Sequence, residues 1–71
     1  MIDVFDYDIG QSVVVTTFDG NEIIGQVADI TTAIDNDSDY DAISIRISHR
    51  YLVEIEANKI DSIKVMDKNR P

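Results

Sequence analysis

The chain has 71 residues, of which 14 are acidic and 6 are basic, and its formal net charge is −8 at pH 7. It contains no cysteine, which excludes a disulfide framework and a cysteine-ligated metal. An apolar content of 44% argues against disorder, and no apolar run approaches the roughly 20 residues that span a bilayer. The acidic N-terminus has no signal-peptide pattern. We therefore expect a cytoplasmic, non-membrane protein with one domain over residues 1–71, in which residues 66–71 form a frayed tail.

The charges are unevenly distributed along the chain. Residues 1–45 contain ten acidic residues and no lysine or arginine, whereas residues 46–71 contain four acids and all six bases. A protein that binds nucleic acid needs a basic face to neutralise phosphates, so direct nucleic-acid binding is not expected. Two interpretations remain open. The acids keep a small protein soluble, or they attract a protein partner with a basic surface, in the manner of a nucleic-acid mimic.

The N-terminal segment favours a short helical turn. Ile2, Phe5 and Ile9 are spaced at i, i+3 and i+7, which predicts an amphipathic turn with Asp3 at its acidic start. Phe5, Tyr7 and Ile9 also alternate, so an extended entry into the first strand remains an alternative.

A β-hairpin is predicted next. Residues 13–18 form a β-branched run typical of a strand, with Val13 and Val15 facing inward. Asp19-Gly20 predicts a tight turn, because it supplies the positive φ that such turns need. The second strand is predicted over residues 22 to about 34.

Gly25 lies inside that second strand and indicates a bend or a close approach of another backbone. Val27 and Ile30 lie on either side of Asp29, which predicts that the inward face of the strand switches near Ala28.

Three further strands complete the pattern after a polar loop at residues 35–41. Ile43, Ile45 and Ile47 are predicted to face inward in the third strand. The fourth strand is predicted over residues 51–56, with Tyr51, Val53 and Ile55 on one face. It is followed by a single 3₁₀ turn at residues 57–59 and by a last strand over residues 60–66. Four short strands and one long, bent strand predict a mainly β fold.

The hairpin motif resembles the first motif of the Sm-like superfamily of small β-barrels. Its residues are Val13, Val15, Asp19, Gly20, Gly25, Val27 and Ile30. In that family an alternating strand runs into Asp-Gly, and a glycine five residues later lets the second strand bend. Residues 51–67 also resemble the end of an Sm-like or SH3-like barrel. The resemblance covers residues 2–66 and implies a five-stranded SH3-like or Sm-like small barrel with a short N-terminal helical turn.

The sequence departs from the RNA-binding members of the family. They carry an Asp-x-x-x-Asn element after the bent strand, but neither residue is in place within residues 31–35. They also carry Arg-Gly at the fourth strand, whereas Arg50 here is followed by Tyr51. The chain is also similar to the bacterial Rho-inhibitor proteins, which bind a protein through such a barrel, and to the YolD-like proteins. The resemblance therefore implies the fold without the RNA pocket.

No pattern in the sequence predicts catalysis, a cofactor or a metal site. Asp35, Asp37, Asp39 and Asp41 have the first spacings of a calcium loop. However, Tyr40 occupies the glycine position of that loop, and no bidentate glutamate follows. His49, the one histidine, is expected in an exposed turn, and there is no glycine-rich phosphate loop. We expect a protein that is not an enzyme.

The candidate partner-binding residues are an exposed aromatic residue and an acidic loop. They are Phe18, Asp35, Asp37, Asp39, Tyr40 and Asp41. Phe18 is expected on the outward face beside the first turn, where an aromatic side chain can anchor a partner, although it could instead cover the end of the barrel. A tyrosine among carboxylates suits an arginine-rich partner through ion pairing and stacking.

Self-association through the last two strands is a second expectation. An Sm ring forms when the fourth strand of one subunit pairs with the fifth strand of the next. Leu52, Glu54 and Val65 are the candidate residues on these edges, Leu52 as buried apolar area and Glu54 as a steering charge.

Three functions follow, in order of preference. The first is a non-enzymatic interaction or regulatory module that binds a basic protein, with a phage-type inhibitor or nucleic-acid mimic as its specific form. The second is an RNA-binding Sm-like ring. The third is an oligomer that sequesters a small ligand.

Overall fold

A computed structural model describes residues 1–66. It consists of β1 (Ser12–Thr17), β2 (Glu22–Thr31), β3 (Ala42–Ser48), β4 (Tyr51–Glu56) and β5 (Ile60–Val65), with short 3₁₀ helices at Val4–Asp6 and Ala57–Lys59. We refer to Ala57–Lys59 as the bridging turn. The frayed tail was predicted over residues 66–71, of which 67–71 lie outside the described residues. The prediction is wrong for Met66, because its backbone N–H donates to the Ser12 carbonyl over 2.7 Å.

The five strands form one antiparallel sheet in the order β4-β3-β2-β1-β5. The mainly β fold and the five predicted strands are therefore confirmed. β4 and β5 are the two edges of the sheet, so backbone pairing does not close it into a complete barrel.

The β1–β2 turn has the predicted geometry. Gly20 has a φ of +91°, which glycine adopts without a steric penalty. The Thr17 backbone N–H donates to the Asn21 carbonyl over 2.9 Å, and the Gly20 N–H donates to the Thr17 carbonyl over 3.0 Å. The Asp-Gly pair thus sets the register in which β1 meets β2.

β2 bends between two pairing partners. Its first half pairs with β1, and its second half pairs with β3 from Gln26 onward. The pairing register shifts between Val27 and Asp29, which confirms the predicted switch near Ala28. A Cβ atom on Gly25 would lie 2.2 Å from the carbonyl oxygen of Arg46, so the predicted close approach of another backbone is also confirmed.

β2 was predicted to extend to about residue 34, but it ends at Thr31. The chain turns there, because the Asn36 N–H donates to the Thr32 carbonyl over 2.9 Å and the Ser38 N–H donates to the Ala33 carbonyl over 3.0 Å. These turn bonds replace the ladder bonds that a longer strand would have made.

The core is built almost entirely from β-branched side chains. The buried apolar residues are Val4, Val13, Val15, Val27, Ala42, Ile43, Ile45, Ile55, Ala57 and Ile60. Alternation predicts most of them. It wrongly predicts Ile47, which is 49% exposed. Tyr51, which was placed on one face with Val53 and Ile55, is 68% exposed. The β3–β4 register shifts between Arg46 and Ser48, so both residues lie beyond the last packed row of the core.

The N-terminal turn buries a different face from the one predicted. Val4 is fully buried, whereas Phe5 and Ile9 are 50% and 66% exposed. The helical spacing fails because the segment is a single 3₁₀ turn and the backbone is already extended at Tyr7. Asp3 does begin the turn, and its carboxylate accepts a hydrogen bond from the Phe5 N–H over 3.0 Å.

Replacing Gly25 by alanine is expected to destabilise the fold by about 3 kcal/mol, since the new methyl group would meet backbone atoms of β3 that cannot turn away. Gly20→Ala is the matched control. A Cβ there meets nothing within 4 Å, so only its positive φ matters, at about 1 kcal/mol. Urea denaturation of both variants measures the difference. Equal losses would contradict the close approach at Gly25.

Candidate partner-binding site

The acidic loop, residues 32–41, is fastened to one end of the bridging turn. The Ala57 backbone N–H donates to the Asp41 carbonyl over 2.8 Å. The Ser38 hydroxyl donates to the Glu56 carboxylate over 2.6 Å, in a partly buried position. These hydrogen bonds therefore hold the loop in a fixed position against the end of β4 and the bridging turn.

Phe18 is fastened to the other end of the same turn. Its backbone N–H donates to the Lys59 carbonyl over 3.1 Å, while its side chain is 69% exposed. Phe18 follows β1 directly and lies outward, as predicted. The bridging turn is thus bonded at one end to the acidic loop and at the other to Phe18, the two elements predicted from the sequence to bind a partner.

Within the acidic loop, three carboxylates face solvent, and the fourth accepts a hydrogen bond that stabilises the loop. Asp35, Asp37 and Asp39 are exposed. Asp41 is half-buried, and its Oδ1 accepts a hydrogen bond from the Ala33 backbone N–H over 2.8 Å. That bond ties the two ends of the loop together, so Asp41 has a structural task in addition to any binding.

Tyr40 is half-buried, and its backbone N–H donates to the Ser38 hydroxyl over 3.3 Å. Asp37 has a φ of +53°, a left-handed conformation that aspartate tolerates better than most residues. The loop conformation is therefore set by short polar side chains rather than by apolar burial.

A cavity of about 300 Å³ lies beside Phe18. Its lining residues are Thr17, Phe18, Asp19, Ile55, Asn58 and Lys59. The Oδ1 atom of Asn58 is buried, and no group among the described residues donates a hydrogen bond to it. Of these residues, only Phe18 is predicted from the sequence to bind a partner. Asn58 could have been noticed as a polar residue in the short turn between two strands.

Asp19 is a fixed negative charge at the rim of this cavity. Its carboxylate accepts hydrogen bonds from the Thr17 hydroxyl and, over 3.3 Å, from the side-chain amide of Asn21. The hydrogen bond from Thr17, followed by one from the Asn21 backbone, lowers the pKa of Asp19 below its ordinary value of 3.8. Asp19 is therefore ionised at neutral pH and held in one orientation.

The residues predicted for self-association lie elsewhere. Leu52 is 52% exposed and Glu54 is exposed, both on β4, while Val65 on β5 is 42% exposed. Because β4 and β5 are opposite edges of the sheet, these residues do not form one site within a single chain.

The β3–β4 turn carries the opposite charge. Arg46, near the end of β3, and His49 and Arg50, in the turn, are all exposed, which confirms the expectation for His49. The Arg46 guanidinium donates to the His49 carbonyl over 3.3 Å. This turn is separate from the bridging turn, because the two are at opposite ends of β4.

Within residues 1–66, no group of three or more histidine, aspartate or glutamate side chains is arranged to hold a metal ion. None of the helices in that part of the chain has the length and apolar character needed to cross a membrane. Comparison with family models, curated proteins and solved structures finds no match to this chain.

Asp41→Ala should destabilise the protein by about 1.5 kcal/mol, because the partly buried Ala33 N–H loses a charged acceptor. Asp39→Ala removes an exposed carboxylate from the same loop and should change stability by less than about 0.5 kcal/mol. Urea denaturation distinguishes the two variants. An equal effect would show that Asp41 does not hold the loop.

Proposed function

We propose that this protein is a non-enzymatic interaction module that binds a protein with a basic surface. One observation carries the proposal. Residues 1–45 contain ten acids and no lysine or arginine, and nine of those acids are exposed. Only Asp41 among them is half-buried.

The hydrogen bonds of these carboxylates leave their charge uncompensated. In the described part of the chain, Asp3, Asp29 and Asp41 accept from backbone N–H groups, and Asp19 accepts from a hydroxyl, an amide and a backbone N–H. All of these donors are neutral. An array of exposed carboxylates attracts a basic partner over a distance and raises the rate of association.

The proposed fold is an Sm-like or SH3-like small barrel. The strand order, the bend of β2 at Gly25 and the 3₁₀ turn before β5 support it. In this proposal the barrel is a scaffold that presents acidic residues, since fold alone does not determine function. A partner that normally binds nucleic acid fits best, because its basic surface is already suited to a row of negative charges.

Capture from a cell lysate on the immobilised protein tests the proposal. The wild-type protein should retain a basic protein at low salt and release it at about 0.3 M salt, where exposed charges are screened. The triple variant Asp35→Asn, Asp37→Asn, Asp39→Asn should bind that protein about tenfold more weakly, at about 0.5 kcal/mol for each exposed charge pair.

The matched control is the triple variant Asp6→Asn, Asp8→Asn, Glu22→Gln. It also removes three exposed charges, but outside the acidic loop. It should lose less affinity than the loop variant, because charges outside the acidic loop act on the partner only through the long-range field, which salt screens. Equal weakening of both variants would assign the effect to net charge alone, and the absence of any retained protein at low salt would contradict the proposal.

A second candidate is self-association through the open edges of the sheet. The exposed strands β4 and β5 support it, together with the apolar side chains of Leu52 and Val65 on them. Exposed edges pair readily with another chain. Light scattering should give a mass that is a multiple of 8.0 kDa, and Leu52→Lys should return it to one chain. A wild-type monomer at all concentrations would exclude this candidate.

A further inference from the structure

We propose that the cavity beside Phe18, which we name the Phe18 pocket, receives the side chain of an arginine from the basic partner. The inference rests on the proposed function and adds a specific chemistry to it. The pocket combines the exposed ring of Phe18 with the carboxylate of Asp19 at its rim, and it is also lined by Asn58, whose Oδ1 atom is buried without a donor among the described residues.

The unpartnered acceptor is the first argument. Buried polar groups in folded proteins nearly always have a hydrogen-bond partner, because desolvation without a partner is costly. The Oδ1 atom of Asn58 is buried without a donor among the described residues, and Asn58 lines the pocket. Because this atom is not itself exposed to the pocket, an N–H group of a ligand would satisfy it only once the Asn58 side chain rotates to present it.

The exposed ring is the second argument. Phe18 is 69% exposed, although its backbone is fixed to Lys59 by a hydrogen bond of 3.1 Å. A large aromatic side chain at a fixed position costs little conformational entropy when it binds a partner. Its face attracts a cation, and a guanidinium group stacks on such a face with its whole plane.

The carboxylate is the third argument. Asp19 is adjacent to Phe18 and is oriented by its hydrogen bonds with Thr17 and Asn21. A guanidinium group has five N–H donors in a rigid plane, so it can bind a carboxylate and a second acceptor at the same time. An ammonium group is a point charge and cannot stack in the same way. The pocket therefore favours arginine over lysine.

The positive charge of Lys59 should weaken the binding of a cation in the pocket, so removing that charge tests whether the ligand is cationic. The residue is exposed, so its long side chain can extend its ammonium group into solvent while the stem lines the pocket. Removing this positive charge with Lys59→Ala should strengthen binding of an arginine side chain, whereas a purely apolar ligand would not gain affinity.

An NMR titration tests the assignment with two probes. One is an acetylated, amidated peptide that alternates glycine and arginine, and the other is its lysine counterpart of equal charge. The arginine peptide should shift the amide signals of Thr17, Phe18, Asn58 and Lys59, and it should bind about tenfold more tightly than the lysine peptide.

Two variants should lose this preference. Phe18→Leu keeps apolar cover but removes the ring, and its matched control is Tyr51→Leu, since Tyr51 is an equally exposed aromatic residue at 68%. Asn58→Leu removes the unpartnered acceptor, so it should bind the arginine peptide several-fold more weakly. Its melting temperature should be unchanged or raised, which separates loss of binding from loss of folding.

The outcomes separate this inference from the proposed function. Equal affinity for the two peptides, with shifts confined to the acidic loop, would overturn the Phe18 pocket while leaving a charge-driven interaction module. Loss of arginine preference in Tyr51→Leu, or its persistence in Phe18→Leu, would also overturn it. Arginine-selective shifts at the pocket without any captured basic protein would support the pocket and contradict the proposed function.

Discussion

The close approach of β2 to β3 at Gly25 is the constraint on which the rest of the structure depends. The Arg46 carbonyl oxygen occupies the space that a Cβ atom on Gly25 would need, at 2.2 Å. Because the backbones come this close, β2 can pair with β1 along one half and with β3 along the other. The register shift around Ala28 completes the bend, and the valines and isoleucines of both halves then pack into one core.

The same bend explains how the candidate site is assembled. Once the sheet folds over its own core, the chain must cross from β4 to β5, and it does so through the bridging turn, Ala57–Lys59. The acidic loop bonds to one end of this turn, and Phe18 bonds to the other. Backbone hydrogen bonds therefore fix the positions of the acidic loop and of Phe18 relative to the bridging turn, without a large buried surface. A small domain can present a rigid binding face in this way despite its thin core.

Local chemistry determined which features could be predicted from the sequence. Asp-Gly at positions 19 and 20 and the lone glycine at 25 have few structural alternatives, so the turn and the bend were predictable. The outcome at Ile47 was not, because a register shift at the end of β3 removes it from the core while its alternation with Ile45 persists. Asn58 was missed for a different reason: its place in the short turn is visible in the sequence, but a buried acceptor without a donor is a property of the assembled structure.

Amide hydrogen exchange on the wild-type protein, with and without its captured partner, tests the central claim most directly: a basic polypeptide docks on the face around the bridging turn. We expect residues 17–21, 32–41 and 57–60 to gain protection together, since all three segments are fastened to that turn. Protection confined to the edges of β4 and β5, or to the β3–β4 turn that contains His49, would contradict the claim. It would mean that the partner recognises the sheet edge or the basic end, and that the acidic face only keeps the protein in solution.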